Sequence, residues 1–94
     1  MGYKVKMNFE ALEDFEKLDN SVKIQITKFI NRLEERENPR TLGEALKNNL
    51  VGCWRYKVDN YRIIAEIQDD KLVILMIAIG HRSTIYKIVD KRLN

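Results

Sequence analysis

Trp54-Arg55-Tyr56-Lys57-Val58-Asp59-Asn60-Tyr61-Arg62 consists of two short runs broken by a pair of turn formers, and its reading decides the fold. Asp59-Asn60 tolerates positive φ and suits a type I′ hairpin turn, which makes Val58 and Tyr61 the first cross-strand pair and sets Lys57 opposite Arg62. Side chains alternate faces along a strand. Arg55 therefore shares a face with Lys57 and Arg62, while Trp54, Tyr56 and Val58 share the other with Tyr61, Ile63 and Ala65. One face is apolar and the other basic. Like charges placed directly opposite destabilise a ladder by roughly 0.2–1 kcal/mol, so a chain that keeps them points to an anionic ligand there. Trp54 and Tyr56, on the apolar face, are read as core and not as platforms for stacked bases.

Downstream, two further runs complete a three-stranded antiparallel meander at about 51–58, 61–68 and 71–79, the second turn being Asp69-Asp70. Continuing the register pairs Ile67 with Leu72, Ile64 with Leu75 and Arg62 with Ile77. That places Ile77 and Ile79 on the basic face and brings His81, Arg82 and Tyr86 towards Arg55, Lys57 and Arg62. The third strand is apolar on both faces, so it is expected inside the sheet and covered on both sides. Gly80 ends it, Ser83 is read as a helix cap, and Ile85, Ile88 and Val89 mark a short amphipathic C-terminal helix.

Upstream, Tyr3-Lys4-Val5-Lys6-Met7 alternates as a short strand with its lysines outward. Asn8 caps a helix whose buried stripe is Ala11, Leu12, Phe15 and Leu18, with Glu10, Glu13 and Asp14 at its positive end. A second helix begins at Asp19 or Asn20, buries Val22, Ile26, Phe29, Ile30 and Leu33, and is stopped by Asn38-Pro39. Residues 41–49 show no period and read as a loop. The expected fold is α+β: an N-terminal strand, a helical hairpin, a meander completing a four-stranded sheet, and a C-terminal helix, in one domain spanning 1–94.

Composition narrows the function. The chain has 94 residues, 45% hydrophobic and 33% charged, with a net charge of +3. Residues 1–50 hold nine basic and nine acidic side chains, whereas residues 51–94 hold eight and five, so the excess lies in the second half. That asymmetry suits a nucleic-acid footprint on one face. The apolar run Leu72 to Ile79 is far short of the roughly 20 residues that span a bilayer, no secretory leader precedes Tyr3, and the N-terminal Met-Gly lacks a myristoylation pattern. A cytoplasmic protein without a membrane partner is expected. Cys53, the lone cysteine, suits a reducing compartment and reads as an inert strand residue. One cysteine and one histidine make no structural metal site, and four scattered glycines make no phosphate loop, so no cofactor is expected.

The order of elements, with Trp54 to Ile63 in the meander and Ile79-Gly80-His81-Arg82 ahead of Ile85-Tyr86, resembles the RelE/ParE toxin superfamily over nearly the whole chain, and within it the RelE branch of ribosome-dependent mRNA interferases. The resemblance implies a toxin neutralised by a RelB-like protein antitoxin that wraps around it, acting on messenger RNA in the ribosomal A site. It assigns the basic pair of the second sheet strand to Arg55 and Lys57, and further roles to Arg62, Arg82 and Tyr86. Arg55 stands where the best-known member has a lysine. ParE-type relatives share the scaffold but act on DNA gyrase and do not need this cationic set.

The residues support a metal-independent cleavage. Attack by a 2′-hydroxyl needs a base, a stabiliser of charge on phosphorus and an acid for the 5′-oxygen. Arg62 and Arg82 offer forked donors to phosphate oxygens in the transition state. Tyr86 as base and Lys57 as acid would both be tuned by neighbouring cations; Tyr86 serves equally well as a helix residue packed on the sheet. His81 is an alternative base, or else orders the loop after Gly80 or stacks on a base. Lys57 is either the acid or a phosphate clamp, and Arg55 binds RNA beside it. Two other functions remain open: a ParE-like gyrase inhibitor without catalysis, and a non-catalytic RNA- or ribosome-binding domain.

Overall fold

The structure is a computed structural model describing residues 2–93. Its strands are β1 (Lys4–Met7), β2 (Gly43–Ala45), β3 (Cys53–Val58), β4 (Tyr61–Gln68) and β5 (Val73–His81), and its helices α1 (Phe9–Glu16), α2 (Asn20–Glu34) and α3 (Ile85–Leu93). One sheet runs β1-β5-β4-β3-β2, with β1 parallel to β5 and every other pair antiparallel. The fold is the α+β arrangement expected, with β5 in the interior.

It has five strands instead of four. The additional one, β2, lies in the stretch read as a loop and pairs Gly43 with Tyr56, Glu44 with Arg55 and Ala45 with Trp54. Three residues on a sheet edge need only backbone hydrogen bonds, so no hydrophobic period announces them. Gly43 makes this approach possible: a Cβ there would collide with the Arg55 carbonyl and the Trp54 indole.

The first hairpin pairs Val58 with Tyr61 and Lys57 with Arg62 as expected. Of its two turn residues only Asp59 takes positive φ, 55°, so the turn is not type I′, which needs both central residues there. The second hairpin departs further. Asp69–Lys71 form a 3-10 turn closed by Leu72 at φ 54°, not a two-residue turn, and pairing moves by two residues to match Ile67 with Ile74. A bulge at Ile64/Ala65 adds one more, so Ile64 meets Ala78 and Arg62 meets Gly80. The odd step moves Ile79 off the basic face and into the core opposite Ile63, while Ile77 remains on the other side.

The helical hairpin covers one face of the sheet. Ile26, Phe29 and Leu33 of α2 and Ala11 of α1 bury against Tyr56, Ile63, Ala65, Ile74, Met76 and Ile79, with Val22, Ile30, Phe15 and Leu18 at the margin. Leu12, expected in that stripe, is 44% exposed. Each helical residue advances about 100°, and α1 meets the sheet through Ala11 and Phe15, which turns Leu12 aside. Asn8 caps α1 by accepting the Ala11 N–H at 2.9 Å, an interaction of about 1 kcal/mol.

The opposite face is covered by α3, whose Ile85 and Val89 bury against Ile64, Ile77, Ala78, Cys53 and Leu50. The Thr84 carbonyl accepts the Ile88 N–H at 3.2 Å, so the cap position is Thr84; Ser83, the expected cap, instead bonds His81 through its hydroxyl. Arg92 ties the far end of α3 to α1 by a fork on Asp14, at 2.7 and 2.9 Å. Asp14 also accepts the Ile79 N–H at 3.0 Å, a donor that β1 is too short to reach. No described helix is long and apolar enough to cross a membrane.

Candidate RNA-cleavage site

Arg55, Lys57 and Arg62 project from one face of β3 and β4, beyond the end of α3, as strand alternation requires. The side chain brought to them is Tyr86, on the first turn of α3. Its phenolic oxygen accepts a hydrogen bond from Arg55 Nη1 at 2.9 Å. Tyr86 is 37% exposed, so the ring is reachable from solvent.

Arg62 bends back over its own hairpin, Nη1 donating to the carbonyls of Asp59 at 2.8 Å and Tyr61 at 2.9 Å. Arg82 reaches the same turn by its backbone, its N–H donating to the Asn60 carbonyl at 2.8 Å. Its side chain is exposed and takes part in none of the described ion pairs. Both arginines thus gather at the β3–β4 turn, with Lys57 across the ladder from Arg62.

His81 is not with them. It pairs with Tyr61, and its ring stands edge-on to that tyrosine at 5.6 Å between centroids, on the other side of the strand from Arg62. The Ser83 N–H donates to His81 Nδ1 at 3.1 Å, so that nitrogen is an acceptor and the proton of the neutral ring sits on Nε2. In this position the imidazole orders the turn after β5.

Sequence reading missed Glu44. From β2 its Oε1 lies 2.9 Å from Arg55 Nη2 and 3.7 Å from Lys57 Nζ. The hydrogen bond from Arg55, then the charges of Arg55 and Lys57, hold this carboxyl below the ordinary range. Arg55 is held above its usual value, chiefly by the hydrogen bond with Tyr86, against the opposing effect of burial. The signal that could have exposed Glu44 is electrostatic: adjacent cations in one ladder call for a counter-charge, and Glu44 precedes them on a glycine-led segment.

Trp54 and Tyr56 lie on the covered face. Tyr56 is fully buried, its hydroxyl donating to the Pro39 carbonyl at 2.8 Å, and burial pushes its phenol well above the usual value. Arg40 lies over the Trp54 ring at 5.8 Å. Burial likewise raises the Cys53 thiol, the larger cause, with Glu66 adding to it. Among the described residues no group of three or more His, Cys, Asp or Glu could hold a metal ion.

The arrangement offers phosphate donors on a turn, an ammonium beside them and a phenol fixed by a guanidinium. A family model described as ParE toxin of type II toxin-antitoxin system, parDE, matches residues 5–86. A protein of Escherichia coli described as a RelE-like toxin is 27% identical over 97 residues, covering 99% of each chain. Toxin RelG of Mycobacterium tuberculosis is 26% identical over 87 residues, covering 93% of this chain and 99% of its own. Among solved structures, a mutant of the E. coli toxin RelE in the free state has a TM-score of 0.75 at 26% identity over 100% of both chains. The RelBE2 toxin–antitoxin complex of M. tuberculosis has a TM-score of 0.79 at 23% identity, over 87% of this chain and 100% of that one.

Proposed function

The chain belongs to the ParE toxin family of type II toxin–antitoxin systems and is a RelE-like toxin, and from that premise we propose that it is an endoribonuclease cutting messenger RNA in the ribosomal A site. The observation that carries the reading is the Arg55–Tyr86 hydrogen bond at 2.9 Å, which sets a phenol among the cations of the open face. Tyr86, in its deprotonated form, takes the 2′-hydroxyl proton and becomes the neutral phenol. The 2′-oxygen bonds to phosphorus, Arg62 and Arg82 neutralise charge on the phosphate oxygens, and the bond to the 5′-oxygen breaks as Lys57 protonates it. The products are a 2′,3′-cyclic phosphate and a free 5′-hydroxyl. Arg62 must leave its turn carbonyls to reach substrate, and the ribosome supplies the alignment that so sparse a site lacks.

The work would be cytoplasmic, with a RelB-like antitoxin as partner; structures of RelE toxins bound to RelB antitoxins are among those sharing this fold. Incubating the protein with translating ribosomes and mapping message 5′ ends tests the reading. Cuts within A-site codons are expected. Intact message together with blocked DNA supercoiling would favour the second reading, a gyrase inhibitor, which the match to the ParE family model supports. Ribosome binding with neither effect would leave a non-catalytic RNA-binding domain.

A further inference from the structure

β2 begins at Gly43, opposite Tyr56, so Lys57 and Val58 run past its end and, among the described residues, that edge of β3 has no strand beside it. Across from the free edge stands one face of α2, on which Gln25, Lys28, Phe29 and Arg32 recur at i, i+3, i+4 and i+7. Between them lies a cleft of about 470 Å³, within the roughly 300–1,000 Å³ of small-ligand sites. Phe29, Leu42 and Val58 give it an apolar floor; Lys28, Arg32 and Lys57 stand around it, with Asp59 the single acid among the lining residues. Lys28 and Arg32 are exposed and take part in none of the described ion pairs.

A floor for a base and a cationic rim for phosphate is the chemistry of a nucleotide. An acidic peptide would also meet the charge, but Lys57 lines this cleft and also stands beside Arg55 and Arg62. A strand whose reacting phosphate lies at Lys57 therefore continues into it. We propose that the cleft between α2 and the free edge of β3 is a subsite for single-stranded RNA, holding the nucleotide next to the cleaved phosphate through Lys28 and Arg32. The proposal rests on the endoribonuclease reading only for that neighbour relation.

The test is fluorescence anisotropy with a short labelled single-stranded RNA, titrated over a range of salt, on the wild type, Lys28→Ala, Arg32→Ala, Lys28→Glu/Arg32→Glu, and Lys71→Ala at the opposite end of the sheet. Withdrawing one cation from a phosphate lowers the slope of log affinity against log salt by about 0.7. Each alanine variant should show that decrement, and the double charge reversal should weaken binding at least roughly tenfold. Lys71→Ala should match the wild type. Unchanged slopes, or an equal loss in Lys71→Ala, would overturn the subsite, as would variants that keep RNA affinity and lose only the antitoxin's. Ribosome-dependent cleavage by the wild type reads the function separately: cleavage with unchanged slopes defeats the subsite alone, and shallower slopes without cleavage defeat the endoribonuclease reading alone.

Discussion

The same three strands meet different fates on their two faces. Towards α1 and α2, Tyr56, Ile63, Ala65 and Ile79 are buried under a helical hairpin. On the other side α3 covers Ile64, Ile77, Ala78 and their neighbours, and the ladder continues through half-buried Arg55 and Arg62 and exposed Lys57. A strand can serve both ends because its alternation separates them: one set of positions carries the fold, and the intervening set is free to hold charge that a core would reject. Stability and activity should therefore respond to different residues only one position apart.

The largest effect expected is on the covered face. Tyr56→Ala removes a fully buried ring and its bond to Pro39, and should cost about 3–5 kcal/mol in denaturant unfolding. A loss below about 1 kcal/mol would show that the hairpin is not what holds the sheet. On the open face Arg62→Ala and Arg82→Ala should each lower cleavage roughly 10²-fold or more, while unfolding changes by about 1 kcal/mol or less. Variants that cut normally, or that unfold, would erase the division between faces.

A sharper contrast separates Lys57 from its arginine neighbours. If it protonates the 5′-oxygen, Lys57→Arg should be nearly as impaired as Lys57→Ala, and a 5′-thio substrate, whose sulfur departs with little protonation, should restore both. Equal defects on oxygen and sulfur substrates would leave Lys57 as a phosphate clamp.

The smallest effect belongs to the far end of the sheet. Hydrogen bonds from Arg40 and then Tyr3 hold Asp69 down at about 2, against an ordinary 3.8. A depressed carboxylate adds stability above its unfolded value and loses it as pH falls towards the folded one, so this contribution fades between about pH 4 and 2. Asp69→Asn should flatten the pH dependence of the melting temperature in that window. The group is exposed, so the change should be small and should shrink in salt; an unchanged acid profile would count the network out.

Much of this fold is readable from residues that must satisfy a period. Ile26, Phe29 and Leu33 announce α2, and Asp59-Asn60 announces the hairpin that collects the cations. What escapes are features made by backbone alone. β2 has no apolar pattern, and the bulge at Ile64/Ala65 depends on how two strands fit, so a regular register puts Ile79 on the wrong side. The expectation for His81 follows from that same register. Glu44 escapes a reading by period because the strand that presents it has none, and only the demand for a counter-charge points to it.

The helix bearing Tyr86 is held by few buried side chains. α3 buries two side chains completely, Ile85 and Val89, worth roughly 1.5–3 kcal/mol each; Ile88 is half-buried beside Gly80, and polar ties join Tyr86 to Arg55, Asp90 to Asn49, and Arg92 to Asp14, Glu10 and the Ile77 carbonyl. The Ile79 N–H is held by Asp14 of α1 and not by α3, so lifting α3 withdraws from the sheet only the Arg92 donor to the Ile77 carbonyl. A helix held this way is expected to open at a free energy below that of global unfolding. Under the proposed function, the active fraction is the fraction of molecules with α3 seated. A ligand selective for the unseated form would lower that fraction by mass action, dimming activity in proportion to its concentration without ever touching the phenol.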